Sequence, residues 1–114
     1  MAYENLLITT EDAVMTITIN RPSQLNALNS ATIHELNKAL SLADVNAEVR
    51  VIIITGSGEK AFVAGADIKE FADYSVEQGR LLSAIGHKLL FDFVENMSKP
   101  VIAAVNGFAL GGGL

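Results

Sequence analysis

The sequence predicts an α/β fold with a largely parallel sheet, and the order of its periodic segments is the main evidence for it. A β-hairpin comes first and is followed by a helix, a strand, a second helix and a further strand. The two later strand segments are nearly continuous apolar runs, which are typical of parallel strands covered on both faces. Strands that alternate with helices in this way require right-handed crossover connections.

The hairpin is predicted over residues 6–20. Residues 6–8 form a short strand, and residues 11–13 (Glu-Asp-Ala) form the turn. The second strand, residues 14–20, alternates strictly, so that Met15, Ile17 and Ile19 share one face and threonines occupy the other. The Arg-Pro pair at 21–22 ends the strand, because proline has no N–H to donate to a sheet.

A helix and a buried strand follow. Asn29 or Ser30 is a suitable N-cap for a helix that continues to about Ala43. Its apolar residues recur at helical spacing and predict one buried face, formed by Ile33, Leu36, Leu40 and Ala43. Residues 49–55 then read as a strand that is apolar on both faces and ends at the Gly-Ser-Gly turn of residues 56–58.

A second helical region and a further strand follow, without an internal sequence repeat. A short polar helix is expected to begin after residues 61–67, and a longer one to run over residues 76–97. The apolar stripe of the longer helix is formed by Leu82, Ile85, Leu89 and Phe93. Pro100 marks its exit, and residues 101–105 are predicted to be a third buried strand.

Composition limits the possible functions. The chain has 114 residues, of which 50% are apolar and 18% charged, and this balance predicts one folded domain over residues 1–114. A net charge of −5 argues against general binding to nucleic acid or to an anionic membrane. Without cysteine, disulfides, thiolate zinc sites and cysteine nucleophiles are excluded. No secretory signal pattern is visible near the N-terminus, so a cytoplasmic location is expected.

Glycine-rich segments are the candidate binding elements, because backbone N–H groups are accessible there. Residues 56–58 lack both the dinucleotide fingerprint and the phosphate-loop ending, and are interpreted as a turn. Residues 106–113 contain three successive glycines, and residues 64–67 (Ala-Gly-Ala-Asp) also follow a strand. At the carboxyl ends of parallel strands, two N–H groups from these segments can converge on one oxygen atom, which is the geometry of an oxyanion hole.

Four segments carry a resemblance to a known family: residues 20–22 (Asn-Arg-Pro), 25–28 (Leu-Asn-Ala-Leu), 60–70 and 99–113. In this order and spacing they resemble the N-terminal half of enoyl-CoA hydratases of the crotonase family. The resemblance implies the first portion of a crotonase-type ββα spiral, so residues 1–114 are expected to be a partial domain. The glycine triplet at residues 111–113, close to the end of the chain, supports the same expectation of truncation.

The resemblance also assigns site residues. The backbone N–H groups of Ala66 and Gly112 would form the oxyanion hole around the thioester carbonyl of an acyl-CoA. The substrate-binding positions would be Ala27, Leu28, Ala64, Gly65, Asp67, Ile68 and Lys69. Lys69 would lie near the CoA phosphates, although a solvated lysine in a first helical turn is the alternative. Coenzyme A would be part of the substrate, with no tightly bound cofactor and no metal.

The implied reaction is the addition of water to 2-enoyl-CoA thioesters in fatty acid metabolism, by an enzyme of the lyase class. In the hydratases, both catalytic glutamate positions lie beyond the position of Leu114, so the 114-residue chain is expected to be inactive alone. The resemblance also implies that the full-length parent enzyme is a homotrimer or hexamer. Asp67 is expected to cap a helix and Glu70 to face solvent. His34 and His87 lack catalytic or metal-ligand spacing and are expected at the surface.

Several other functions remain open. Within the same family, an enoyl-CoA isomerase needs only one carboxylate. A fragment that only binds acyl-CoA, or that serves as an interaction half-domain, is the alternative from another class. A nucleotide-binding module would require a complete phosphate loop, which the sequence lacks.

Overall fold

The computed structural model describes residues 3–65, 77–78, 81, 84, 86–110 and 113. The strands in these residues are β1 (Leu6–Glu11), β2 (Val14–Ile19), β3 (Val51–Gly56), β4 (Ala61–Val63), β5 (Val101–Ala104) and β6 (Phe108–Ala109). The helices are α1 (Ser30–Val45) and α2 (Asp92–Glu95), with a 3₁₀ turn at Pro22–Gln24 and a π-helical turn at His87–Phe91. One sheet has the strand order β1-β2-β3-β5, and β4 pairs with β6 in a second sheet. No helix within the described part of the chain is long and apolar enough to cross a membrane.

The predicted hairpin is confirmed. β1 and β2 are antiparallel, and Glu11 pairs with Val14 across a two-residue loop. Asp12 and Ala13 both have positive φ, 52° and 67°, as a type I′ turn requires. Such a turn matches the right-handed twist of the two strands, which explains why a loop without glycine adopts this conformation.

The first crossover is also as predicted. α1 connects β2 to β3, and these strands are parallel, as are β3 and β5. The Asn29 side chain caps α1 by accepting a hydrogen bond from the backbone N–H of Thr32 at 2.9 Å. The predicted stripe holds at Leu36, Leu40 and Ala43, which are buried, while Ile33 is half-buried.

The core lies between α1 and one face of the larger sheet. Side chains at alternate strand positions point to the same face, so the register groups Met15, Ile17 and Ile19 of β2 with Ile52 and Ile54 of β3. Ile17 and Ile52 are fully buried on this face, and Leu40 of α1 joins them in the same cluster. The alternation read from residues 14–20 therefore identified the core face of the sheet.

The second helical region departs from its predicted stripe. Leu90 is buried at 6% exposure, whereas Leu89, the predicted position, is only half-buried. The π-helical turn contains more residues than an α-helical turn, so positions after it no longer follow the 3.6-residue period. The helix ends at Glu95 rather than at residue 97. Leu82 and Ile85 of the predicted stripe lie outside the described residues.

The predicted strand at residues 101–105 is confirmed as Val101–Ala104, but its predicted burial is wrong. β5 is the edge strand of the larger sheet in the described structure, and three of its four residues are exposed. Ile102 pairs with Ile53 and therefore lies on the face opposite to α1. Ile53 itself is only half-buried, so the expected cover on both faces of β3 is incomplete as well. An apolar run indicates that a face tends to be covered, but it does not identify the covering element.

Candidate active site

The two glycine-rich segments leave adjacent parallel strands at the same end. β4 and β6 are parallel, with Ala61 opposite Phe108 and Val63 opposite Ala109. The residues that follow each strand, Ala64 and Leu110, therefore emerge at the carboxyl edge of one sheet. The sequence predicted this arrangement but did not identify these strands. With three and two residues, β4 and β6 are too short to show a period, and they form a separate small sheet.

Backbone contacts hold the second segment against the first. The N–H of Leu110 donates to the carbonyl oxygen of Val63 at 3.0 Å, and the N–H of Gly113 donates to that of Leu110 at 2.9 Å. A Cβ atom at Gly113 would overlap the Val63 carbonyl, so only glycine permits this close approach. Leu110 and Gly113 thus pack directly on the end of β4.

A third segment, residues 25–28, fixes the first one from the other side. The N–H of Leu28 donates to the Gly65 carbonyl at 2.8 Å, and the N–H of Ala64 donates to the Leu25 carbonyl at 3.2 Å. Gly65 has a φ of +121°, a conformation that L side chains rarely adopt. The backbone just before Ala66 is therefore held by two hydrogen bonds and by a glycine-dependent turn.

The predicted site residues divide into two groups. Ala27 and Leu28 are buried, at 9% and 5% exposure, and Leu28 belongs to the core cluster. Gly65 is buried and Ala64 half-buried beside them. The remaining predicted positions lie outside the described residues: Ala66, Asp67, Ile68, Lys69 and Gly112. The assignment of Ala66 and Gly112 to an oxyanion hole therefore stays a prediction. Their sequence neighbours Gly65 and Gly113 both lie where β4 ends.

Three polar residues of this region were not recognised from the sequence. Asn26 is only 1% exposed, and its side-chain amide donates to the Ala61 carbonyl at 2.8 Å. The Asn106 amide donates to the same carbonyl at 3.0 Å. Arg21 donates from its guanidinium to the Ala27 carbonyl. The resemblance motifs contain all three residues, but no sequence periodicity reveals that a side chain will bond to a distant backbone carbonyl.

Two cavities adjoin these segments. A depression of about 400 Å³ is lined by Pro22, Leu25, Asn26, Ser57, Gly58, Glu59, Lys60 and Ala61. Lys60 is exposed there and offers a positive charge, with Glu59 beside it. A second cavity of about 180 Å³ is lined almost entirely by apolar residues and is bordered by Gly113. Within the described residues, no cluster of three or more His, Asp or Glu side chains could hold a metal ion. The prediction of a surface position is confirmed for His34, which is exposed. The His87 side chain lies outside the described set.

The sequence pattern of the enoyl-CoA hydratase/isomerase family matches residues 9–114. The chain belongs to this family. The crotonyl-CoA hydratase of Syntrophomonas wolfei is 49% identical over 113 residues, which are 99% of this chain and 43% of that protein. The short-chain-enoyl-CoA hydratase of Clostridium acetobutylicum is 48% identical over 113 residues, with the same shares covered.

Solved structures agree with this assignment. The crystal structure of the enoyl-CoA hydratase from Bacillus anthracis matches with a TM-score of 0.92 and 42% identity, over 96% of this chain and 43% of that one. The predicted crotonase-type α/β fold is therefore confirmed. The chain spans less than half the length of these family members.

Proposed function

We propose that the chain is the N-terminal part of an enoyl-CoA hydratase, which adds water across the double bond of a 2-enoyl-CoA thioester. The observation that carries the proposal is the pairing of β4 with β6, which brings the segments after Val63 and Ala109 to one edge of a sheet. In our proposal, the N–H groups of Ala66 and Gly112 donate to the thioester carbonyl oxygen, and the hydratase relatives support acyl-CoA as the substrate.

The proposed chemistry requires more than these two donors. A water molecule adds its oxygen to C3 of the enoyl group and loses a proton to a general base, while C2 takes a proton from a general acid. Negative charge develops on the thioester oxygen between these events, and the two N–H groups stabilise it. In the proposed division of labour this chain supplies the oxyanion hole and part of the CoA pocket. The carboxylates that act as acid and base belong to positions beyond Leu114, so the 114-residue chain alone does not turn over substrate.

Coenzyme A enters this scheme as part of the substrate. The proposed contacts on the CoA side are Ala27, Leu28, Ala64, Gly65, Asp67, Ile68 and Lys69. Because the chain carries a net charge of −5, a polyanionic substrate needs local cations, and Lys60 is exposed at the edge of the depression beside β4. A cytoplasmic, homotrimeric or hexameric parent enzyme completes the proposal.

Backbone ester substitution tests the two donors directly. The experiment uses the intact protein, which is the full-length parent enzyme and not the 114-residue chain. Semisynthesis replaces the amide N–H of Ala66, or that of Gly112, by an ester oxygen. This change removes one hydrogen-bond donor and nearly preserves the shape of the backbone. Each ester lowers kcat for crotonyl-CoA hydration on the order of 10²–10³-fold, about 2.7–4 kcal/mol, because an oxyanion donor acts mainly in the transition state. KM changes far less than kcat.

An ester at Arg50, whose N–H donates to the Ala13 carbonyl at 2.8 Å away from β4 and β6, is the matched control for a lost backbone hydrogen bond. If the esters at Ala66 and Gly112 weaken binding but leave kcat unchanged, these segments only hold CoA and the oxyanion assignment is wrong. If the intact protein shifts the double bond of a 3-enoyl-CoA and fails to hydrate crotonyl-CoA, it is an isomerase of the same family.

A further inference from the structure

We propose that Asn26 and Asn106 are positioning residues, which set the relative placement of the two oxyanion segments by sharing one backbone oxygen, the Ala61 carbonyl. The inference rests on the proposed function, because it assigns a catalytic consequence to the positions of Ala66 and Gly112. Neither asparagine touches the substrate in this proposal.

Asn26 uses all of its hydrogen-bonding capacity inside the protein. Its Nδ2 donates to the Ala61 carbonyl at 2.8 Å and to the Ser57 carbonyl at 3.1 Å. Its Oδ1 accepts from the backbone N–H of Arg21 at 2.9 Å and from the Ser57 hydroxyl at 3.4 Å. The residue is 1% exposed and has a φ of 56°, which asparagine tolerates better than most residues. The side chain therefore ties residues 21, 57 and 61 into one unit around the start of β4.

Asn106 makes a similar set of contacts from the other side. Its Nδ2 donates to the Ala61 carbonyl at 3.0 Å and to the Gly58 carbonyl at 2.9 Å, while its Oδ1 accepts from the Gly56 N–H at 3.0 Å. Two side-chain amides thus converge on one oxygen, which can accept both because a carbonyl has two lone pairs. The shared oxygen belongs to the first residue of β4.

Each asparagine is followed directly by backbone that reaches one of the oxyanion segments. Two residues beyond Asn26, Leu28 donates to the Gly65 carbonyl, immediately before Ala66. Beyond Asn106, Phe108 donates to the Lys60 carbonyl and Leu110 to the Val63 carbonyl, immediately before residues 111–112. Gly65 and Leu110, the described residues before the two proposed donors, are therefore both held relative to Ala61. In our proposal, the separation of the Ala66 and Gly112 N–H groups depends on the two amides.

Rate enhancement by an oxyanion hole depends steeply on this separation, since a misplacement of about 1 Å can cost on the order of 10²-fold in rate. Both side-chain amide nitrogens donate to backbone carbonyls, so they help to determine where main-chain atoms lie. If the two asparagines had a purely structural role, replacing them would lower only the stability of the protein. A positioning role predicts that replacement also reduces the polarisation of the substrate carbonyl, separately from any loss in stability.

The test compares three carboxylate variants of the intact protein: Asn26→Asp, Asn106→Asp and, as matched control, Asn37→Asp. The Asn37 amide donates to the Leu89 carbonyl at 2.6 Å and so joins α1 to the π-helical turn, away from β4 and β6. Each variant loses an amide-to-carbonyl hydrogen bond and places a carboxylate oxygen against the carbonyl. All three are expected to lower the melting temperature.

Only the first two variants are expected to lower kcat for crotonyl-CoA hydration, on the order of 10²-fold, with KM nearly unchanged. Carbonyl polarisation is read independently with 4-(dimethylamino)cinnamoyl-CoA, a conjugated thioester whose absorption moves to longer wavelength when its carbonyl oxygen accepts hydrogen bonds. The red shift seen with the unmodified protein shrinks in Asn26→Asp and Asn106→Asp and is retained in Asn37→Asp. Where a carboxylate variant does not fold, Asn26→Gly and Asn106→Ala, compared with Asn37→Ala, remove the same amide without adding charge.

Two results would overturn the inference. The first is that kcat and the red shift are unchanged in both Asn26→Asp and Asn106→Asp. The second is that the Asn37→Asp control loses as much kcat and as much red shift as these two variants. If the unmodified protein neither hydrates crotonyl-CoA nor shifts the probe spectrum, the proposed function fails and the positioning role fails with it. Hydration and red shift in the unmodified protein, together with unaffected variants, reject the positioning role alone.

Discussion

The two faces of the larger sheet contain similar residues in different environments. On the face that packs against α1, Ile17 and Ile52 are 0% exposed, and Leu40 of the helix is equally inaccessible. On the opposite face, Ile102 of β5 is 51% exposed, although Ile52 and Ile102 lie on neighbouring strands. The connection to β6 and the residues after it are also open, with Val105, Phe108 and Leu110 between 55% and 61% exposed.

The difference shows that burial depends on the covering element and not on the apolar side chain itself. α1 is the next long element after β2 and packs its stripe on the first face, which completes a core from nearby sequence. The exposed residues Ile102, Val105, Phe108 and Leu110 are also apolar, but they are not covered in the described structure. Roughly 25 cal/mol per Å² of apolar surface is gained only when water is removed from it.

The largest expected effect contrasts the two faces directly. Leu40→Ala removes buried methyl groups and leaves a cavity, so it lowers the free energy of unfolding by about 2–5 kcal/mol. Ile102→Ala, at a half-exposed position of β5, changes it by no more than about 0.5 kcal/mol. Urea denaturation of the 114-residue chain at low concentration measures both. Equal losses at the two positions would mean that the second face is covered in solution.

The next effect concerns association through the open residues. Exposed apolar surface of this kind drives self-association, so the 114-residue chain is expected to form oligomers. The double variant Ile102→Lys with Phe108→Lys raises the apparent dissociation constant at least about tenfold, equivalent to about 1.4 kcal/mol. Sedimentation velocity over a concentration series measures the change.

The double variant Thr9→Lys with Thr10→Lys adds the same two charges at exposed positions of β1 and serves as the control for association. A strictly monomeric starting protein with a sharp thermal transition contradicts the prediction. An effect of this control as large as that of Ile102→Lys with Phe108→Lys would show that net charge, and not the open residues, governs association.

The smallest expected effect lies within the covered region. Asn29→Ala removes the side-chain cap of α1 and lowers the free energy of unfolding by about 1 kcal/mol. Asn46→Ala, at the other end of the same helix, loses only an exposed hydrogen bond to the Glu48 N–H and costs less. Thermal unfolding of the two variants, measured side by side, provides the comparison, and a larger loss for Asn46→Ala would contradict the assigned role of the cap.

Local sequence patterns predicted much of the fold for identifiable reasons. The hairpin and α1 contain segments with a clear period, β3 is a continuous run of β-branched residues that ends at Gly56, and the Asn29 cap is a local interaction. β4 and β6 were not predicted, because segments of three and two residues carry no period. The π-helical turn was not predicted either. It moves the buried position from Leu89 to Leu90, and this change depends on how the helix packs and not on a local sequence period.

The candidate site shows the same division. The sequence by itself determined the family, through four separated motifs, and it indicated that glycine-rich segments near residues 64–67 and 106–113 would meet. Only the tertiary structure decided how they meet: on a small second sheet, with Leu25 and Leu28 bonded to the residues before Ala66. The Asn26 and Asn106 amides converge on the Ala61 carbonyl from 35 and 45 residues away. Periodicity reports which side of an element is apolar, whereas such long-range polar contacts exist only once packing has brought the partners together.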